Sequence, residues 1–229
     1  LMGTAHPIVD ATKADGAFYS PRRVGAGLVD AVGATTSPVY PSVVGAADSS
    51  RPKAELGDGT DGWTFQVQLT NVSDAAHTYT LGGQALSEDV ESMLFTGHST
   101  NWAGKGIDLT FSSDSVTVPA KSSATVTVTV TPRSAFASYA NASAPKGTFI
   151  DGAVTFTSTD GAPDLTVPYM GFYGSWGAPA VFDGKWYDGK TSTAHACSST
   201  LMNPATDVPL GALNPLVGQD PMSVRAVDP

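Results

Sequence analysis

Few residues in this chain have types and spacings that could do chemistry. His195-Ala196-Cys197 places an imidazole next to a thiol, the pairing used by cysteine nucleophiles, in which the base lowers the thiol's proton affinity. The surrounding stretch is rich in Ser and Thr and has no apolar periodicity to hold the pair in a fixed geometry, so a solvated loop is the better reading. Asp58-Gly59-Thr60-Asp61-Gly62 offers two closely spaced carboxylates that could ligate calcium through oxygen. It is too short for an EF-hand loop and lacks a third acid, so a hairpin turn is expected there. Trp102, Tyr173, Trp176, Trp186 and Tyr187 could form a stacking platform for sugars. Core or interdomain packing is the favoured role for them, because Trp176 and Trp186 flank the end of the last strand, where a neighbouring domain would dock. Arg22-Arg23 is the one adjacent basic pair; it either meets acidic groups across a junction or lies in a solvated turn before a helix.

Composition narrows the field further. The 229 residues carry 12 Lys and Arg against 21 Asp and Glu, a net charge of −9, with 41% hydrophobic residues. Such a chain can bury a core, and it lacks the basic clusters that nucleic-acid binding needs. No apolar run is long enough to span a membrane, and no basic region precedes an apolar stretch at the start. A single cysteine excludes an internal disulfide and a multi-cysteine zinc site, and His6, His77, His98 and His195 show no metal-ligand spacing. No catalytic, cofactor-binding or metal-binding residue is therefore assigned, and no cofactor is expected. The acidic excess favours solubility.

The elements that would position these groups change character along the chain. In residues 25–34, Leu28, Val29 and Val32 form one apolar stripe of a short helix, and Leu1 to Ala5 reads as the last turn of another helix, ended by Pro7. Pro38 and Pro41 then mark an extended linker. Strict alternation follows: Trp63, Phe65, Val67 and Leu69 on one face, and later Val126, Val128 and Val130 interleaved with threonines. Further strands are expected at Val116–Val118, Lys53–Leu56, Thr78–Leu81, Ile107–Phe111, Ala153–Thr157 and Leu165–Tyr169. Ser134–Ala142 reads as a short helix or an ordered loop. Many short strands separated by turn formers predict an antiparallel β-sandwich. Beyond Phe182 the alternation stops, which reads as a linker or an extended tail.

Three stretches carry a family resemblance. Leu1-Met2-Gly3-Thr4-Ala5-His6-Pro7 resembles the L-M-x-T-A-x-P segment late in the catalytic domain of subtilisin-like serine proteases. Ser20-Pro21-Arg22-Arg23-Val24-Gly25-Ala26-Gly27-Leu28-Val29-Asp30-Ala31 resembles the S-P-x-x-x-G-A-G-x-V-D-A segment that follows it. Val116 to Ala120, Ile150 to Phe156 and Leu165 to Gly174 resemble the fibronectin type III-like domain that comes next in cell-envelope subtilases of the lactocepin and C5a-peptidase group. The resemblance implies a mainly β chain: a fibronectin type III-like sandwich at 37–182, preceded at 1–36 by a helical remnant of an α/β subtilisin-like catalytic domain, with 183–229 as a linker or tail toward a further domain. It implies a piece of an extracellular, cell-wall-associated serine endopeptidase, and the opening Leu1-Met2-Gly3 fits a piece cut from a longer polypeptide. The partners implied are the parent's catalytic domain, its adjacent β-domains and, through the parent, protein or peptide substrates. No G-T-S-x-A-x-P or H-G-T-H segment occurs in the chain, so no triad role can be assigned by family motif and the piece is expected to be proteolytically silent. The rival reading is a carbohydrate-binding or adhesive sandwich of a surface protein, which would have no need of residues 1–36. A hydrolase built on His195 and Cys197 would lose its activity on Cys197→Ala; no activity is expected.

Overall fold

The computed structural model describes residues 1–91, 94–177, 201–203 and 208–210. Residues Leu1–Trp176 form one compact unit and Gly177–Pro229 another. Within the first unit, two sheets face each other. One holds β1 (Val39–Val43), β3 (Trp63–Asn71), β8 (Ser123–Pro132) and β6 (Ile107–Phe111), in the order β1-β3-β8-β6. The other holds β2 (Ala54–Gly59), β10 (Leu165–Tyr173), β9 (Thr148–Ser158), β4 (His77–Glu91) and β5 (Leu94–Asn101) in that order, with β7 (Ser115–Val118) also pairing with β4. Pairing is antiparallel throughout, except that β2 runs parallel to β10.

Alternation in the sequence becomes the core. Val67 and Leu69 of β3 and Val126, Val128 and Val130 of β8 are buried, while Thr64, Gln66 and Thr70 on the opposite face hydrogen-bond across to Thr129, Thr127 and Ser123. The second sheet contributes Tyr79, Val154, Phe156, Val167 and Tyr169, and the Phe65 and Tyr169 rings meet across the layers at 5.8 Å. Each of these side chains, once removed from water, contributes roughly 1.5–3 kcal/mol. Asn71, buried at the end of β3, satisfies its amide by donating to the carbonyls of Ala75, Val118 and Pro119. A single helix, α3 (Ser134–Ser143), links β8 to β9, and its Phe136 and Ala140 pack into the core. The helix alternative is thus realised at Ser134–Ala142.

Several expectations change. Pro41 lies inside β1, so the segment after Thr36 is an edge strand rather than a linker, as the lost N–H of proline permits at an edge. Asp58 and Gly59 end β2, and β2 and β3 belong to different sheets, so Asp58 to Gly62 is a crossing between layers, not a hairpin turn. Before the sandwich, Leu1 to Ala5 contains a 3-10 turn over Met2–Thr4, and α1 spans Pro21–Val24. α2 covers Ala31–Thr36, starting later than the apolar stripe implied, because the Asp30 side chain caps it by accepting from Gly33 N at 2.8 Å. Leu28 lies outside that helix, in an isolated bridge with His6. A Cβ at Gly27 would lie 2.0 Å from the His6 carbonyl oxygen, so only glycine allows this close approach of the two segments. In the second unit, β11 (Leu201–Asn203) and β12 (Val208–Leu210) pair antiparallel.

Candidate functional site

The outer face of the six-stranded sheet is covered in part by residues 7–24, while Thr80, Thr117 and Thr157 on that face stay exposed. Pro7, Phe18 and Val24 of the cover lie around Leu86, Ala153 and Pro168, and beside this apolar patch the contacts are charged. Glu88 and Asp151 project from β4 and β9 with 3% and 0% of their surface exposed. They receive two arginines and a serine from the first segment. Ser20 Oγ donates to Asp151 Oδ2 at 2.5 Å, and Arg22 Nε donates to the same oxygen at 2.7 Å. Arg22 Nη2 reaches Glu88 Oε2 at 3.1 Å, while Arg23 Nη2 reaches Glu88 Oε1 at 2.5 Å. Two arginines and two acidic side chains thus close a clasp, and Arg22 also lies over the Phe149 ring at 4.4 Å.

Local sequence explains how the arginines are aimed. Ser20 accepts from Arg22 N through its Oγ, capping α1, and Pro21 occupies the first helical position, where its missing N–H costs nothing. Consecutive residues on so short a turn point to different sides, so Arg22 and Arg23 straddle Glu88. Gly97 lies beside them at φ +88, a backbone conformation that favours glycine, and its N–H donates to Glu88 Oε1.

The two acids behave differently. Burial raises the Glu88 carboxyl, but the hydrogen bond from Arg23 and the charges of both arginines outweigh it, and the net shift is downward. Burial dominates at Asp151 and pushes its carboxyl up despite Arg22 and Ser20, in keeping with an Oδ1 that has no hydrogen-bond partner.

A second group of contacts extends the cover. Asp10, fully buried, accepts from Thr12 Oγ1 at 2.6 Å and lies 2.6 Å from His98 Nδ1 of β5. Burial raises its carboxyl, and the bonds from Thr12 and His98 more than offset this, holding it well below the ordinary carboxylate range. Gln84 accepts from Phe18 N and donates to the Gly16 carbonyl, both at 2.9 Å. Lys13 pairs with Asp89, and Lys105 with Asp15 at 3.2 Å.

Several apolar side chains of residues 1–36 are open to solvent. Leu1, Val9, Leu28, Val29 and Val32 are all more than half exposed. The arginine pair therefore meets acidic groups, which was one of the two readings open from sequence. Its partners were not singled out, although an aspartate within the apolar run Ile150 to Phe156 is the kind of signal that marks a buried charge needing a cation. Among the described residues no group of three or more His, Cys, Asp or Glu is placed to hold a metal. Asp58 instead accepts from the Trp176 backbone N–H at 2.7 Å. Of the aromatic candidates, Trp102 stacks with Phe136 and Tyr139, and Tyr173 meets Phe136. Trp176 is 64% exposed, beside Phe172 and Phe149. Trp186, Tyr187, His195 and Cys197 lie outside the described residues.

A model of the Fn3-like domain family matches residues 54–170. The chain belongs to the Fn3-like domain family. Its sequence relatives extend the likeness beyond that domain. The PI-type proteinase of Lactococcus lactis subsp. cremoris is 32% identical over 184 residues, which is 80% of this chain and 9% of the relative. The C5a peptidase of Streptococcus pyogenes serotype M1 is 29% identical over 201 residues, 85% of this chain and 16% of the relative. The chain thus spans less than a fifth of the length of these two relatives. Among solved structures, a family 123 glycoside hydrolase from Clostridium perfringens aligns over 60% of this chain and 27% of its own, at 10% identity and a TM-score of 0.40.

Proposed function

We propose that the chain is an accessory module of an extracellular, cell-wall-associated, subtilisin-like serine endopeptidase. In this reading, 1–36 is the closing segment of the catalytic domain, 37–182 is the Fn3-like sandwich and 183–229 leads toward a further domain. The parent hydrolyses peptide bonds and this piece does not. The proteinase relatives support the reading, and one structural observation carries it. Arg22 and Arg23 of the first segment pair with acids of the sandwich, while Leu1, Val9, Leu28, Val29 and Val32 stay exposed, as expected of a segment held between two bodies of protein. The module's role is to hold the protease domain at a fixed attitude to the β-domains and away from the envelope.

Two measurements test this. The purified chain leaves casein intact; cleavage stopped by a serine-directed inhibitor would overturn the reading. Deleting residues 1–36 lowers the melting temperature, because Glu88 and Asp151 are left buried without their arginines. An unchanged melting temperature would show that the clasp is not intrinsic to this chain.

A further inference from the structure

The turn joining β3 to β4 brings together three groups that the interdomain role does not use. Ser73 Oγ lies 3.1 Å from His77 Nε2, and His77 Nδ1 lies 3.2 Å from Asp160 Oδ2, on the turn between β9 and β10. A hydroxyl, an imidazole and a carboxylate thus stand in the order in which nucleophile, base and orienting group stand in serine hydrolases. We propose that Ser73, His77 and Asp160 form a nucleophilic site on the sandwich that accepts acyl groups from small, activated esters.

The parts are held in place. Asp160 Oδ1 accepts from Ser158 Oγ at 2.9 Å and from Ala162 N at 3.3 Å, while Oδ2 accepts from Thr78 N at 3.1 Å. Burial acts upward on this carboxyl, and those hydrogen bonds together with that from His77 bring it down to about 2, so it is an anion near neutral pH. An anion at Nδ1 selects the Nδ1–H tautomer and leaves the Nε2 lone pair facing Ser73. Ser73 N donates to Asn71 Oδ1 at 2.8 Å, which pins the turn that carries the hydroxyl. Among the described residues, the amide N–H groups of Asp74 and Ala76 in that turn have no intramolecular acceptor, and either can donate to an oxygen that becomes negative.

The reaction balances without a further reagent. Ser73 Oγ attacks the acyl carbon as its proton passes to His77 Nε2, and the alkoxide or aryloxide leaves with that proton. Water then attacks the acyl-serine, gives a proton to His77 and releases the acid, restoring the hydroxyl. Two features keep the site slow. Asn71 Oδ1 at 2.8 Å and the Ala75 carbonyl at 3.0 Å compete with His77 for the single hydroxyl proton. The turn is also open to solvent and offers no groove to hold a peptide, so reaction is confined to esters activated enough to need no binding site.

The test uses the 229-residue chain with p-nitrophenyl acetate, with the acetyl group located by peptide mass spectrometry. Acetyl on Ser73 is expected, together with a burst of p-nitrophenolate that is lost in Ser73→Ala and slowed on the order of 10-fold in Asp160→Asn, where the imidazole is no longer held in the productive tautomer. Acetyl confined to lysines, the N-terminus or histidines would overturn the proposal, as would a burst that survives in Ser73→Ala. Location of the label in the unaltered chain decides the matter even if a variant fails to fold. Casein cleavage and Ser73 acetylation are separate readouts, so either reading can fail alone.

Discussion

The two faces of the six-stranded sheet are buried to different extents, and their buried parts are held by different physics. On the inner face, Tyr79, Val154, Phe156, Val167 and Tyr169 pack against the valines of β3 and β8. On the outer face, Glu88, Asp151, Gln84 and Asp89 meet Arg22, Arg23, Phe18, Gly16 and Lys13. An apolar interface is non-directional and tolerates small shifts, whereas a charged one is stable only with its partners in register. The first kind holds a domain together. The second fixes how a neighbouring segment is seated, and it does so at the cost of leaving unpaired charges if that segment lifts away.

This contrast can be broken in three ways. Phe156→Ala should have the largest effect, about 3–5 kcal/mol, because a fully buried ring is removed from a packed interior; urea denaturation measures it, and a loss near zero would mean that the inner face is not the main source of stability. Glu88→Ala should follow at about 3 kcal/mol, the low end for removing one partner of a buried ion pair, since Arg23 is half exposed and Arg22 keeps Asp151. Asp151→Asn should cost less than Glu88→Ala, because burial already favours the uncharged form and an amide oxygen can still accept from Ser20 and Arg22. An Asp151→Asn loss at or above that of Glu88→Ala would show that the anion itself is required.

Acid gives the smallest and most selective effect. Glu88 and Asp10 are held below their ordinary values in the folded chain, so the stability they contribute is complete above the unfolded-state carboxylate range and is lost as pH falls through the lower folded values. Asp151 works the other way: its raised value means that protonation on acidification favours the folded state. The net expectation is that below about pH 4 residues 7–24 become susceptible to pepsin before the sandwich does. Simultaneous cleavage of both would mean that the outer cover has no separate acid sensitivity.

The same contrast sets what the sequence reveals. Trp63 to Leu69 and Val126 to Val130 are readable because one side of each strand is wet and the other dry, which writes a period of two. The second half of β4, Gln84 to Glu91, and the whole of β5 were not foreseen. Gln84, Glu88 and Asp89 stand there where a covered face would ordinarily show apolar residues, because the cover is itself charged. β1 was obscured by its prolines, which an edge strand accepts. Arg22 and Arg23 stood out as a pair, but their partners lie far along the chain, a separation that local pattern does not encode. The grouping of Ser73, His77 and Asp160 depends on two turns meeting in space, and no spacing in the sequence announces it.

The clasp is attached to β4 and β9, strands that each have hydrogen-bonded neighbours on both sides. Seen as mechanics, that position matters. A pull arriving from the N-terminal side meets Arg22 and Arg23, held on interior strands, before it reaches β1, the edge strand that follows Thr36 in the chain. The ion pairs of Arg22 and Arg23 therefore have to fail before the β1 edge can be unzipped one bond at a time.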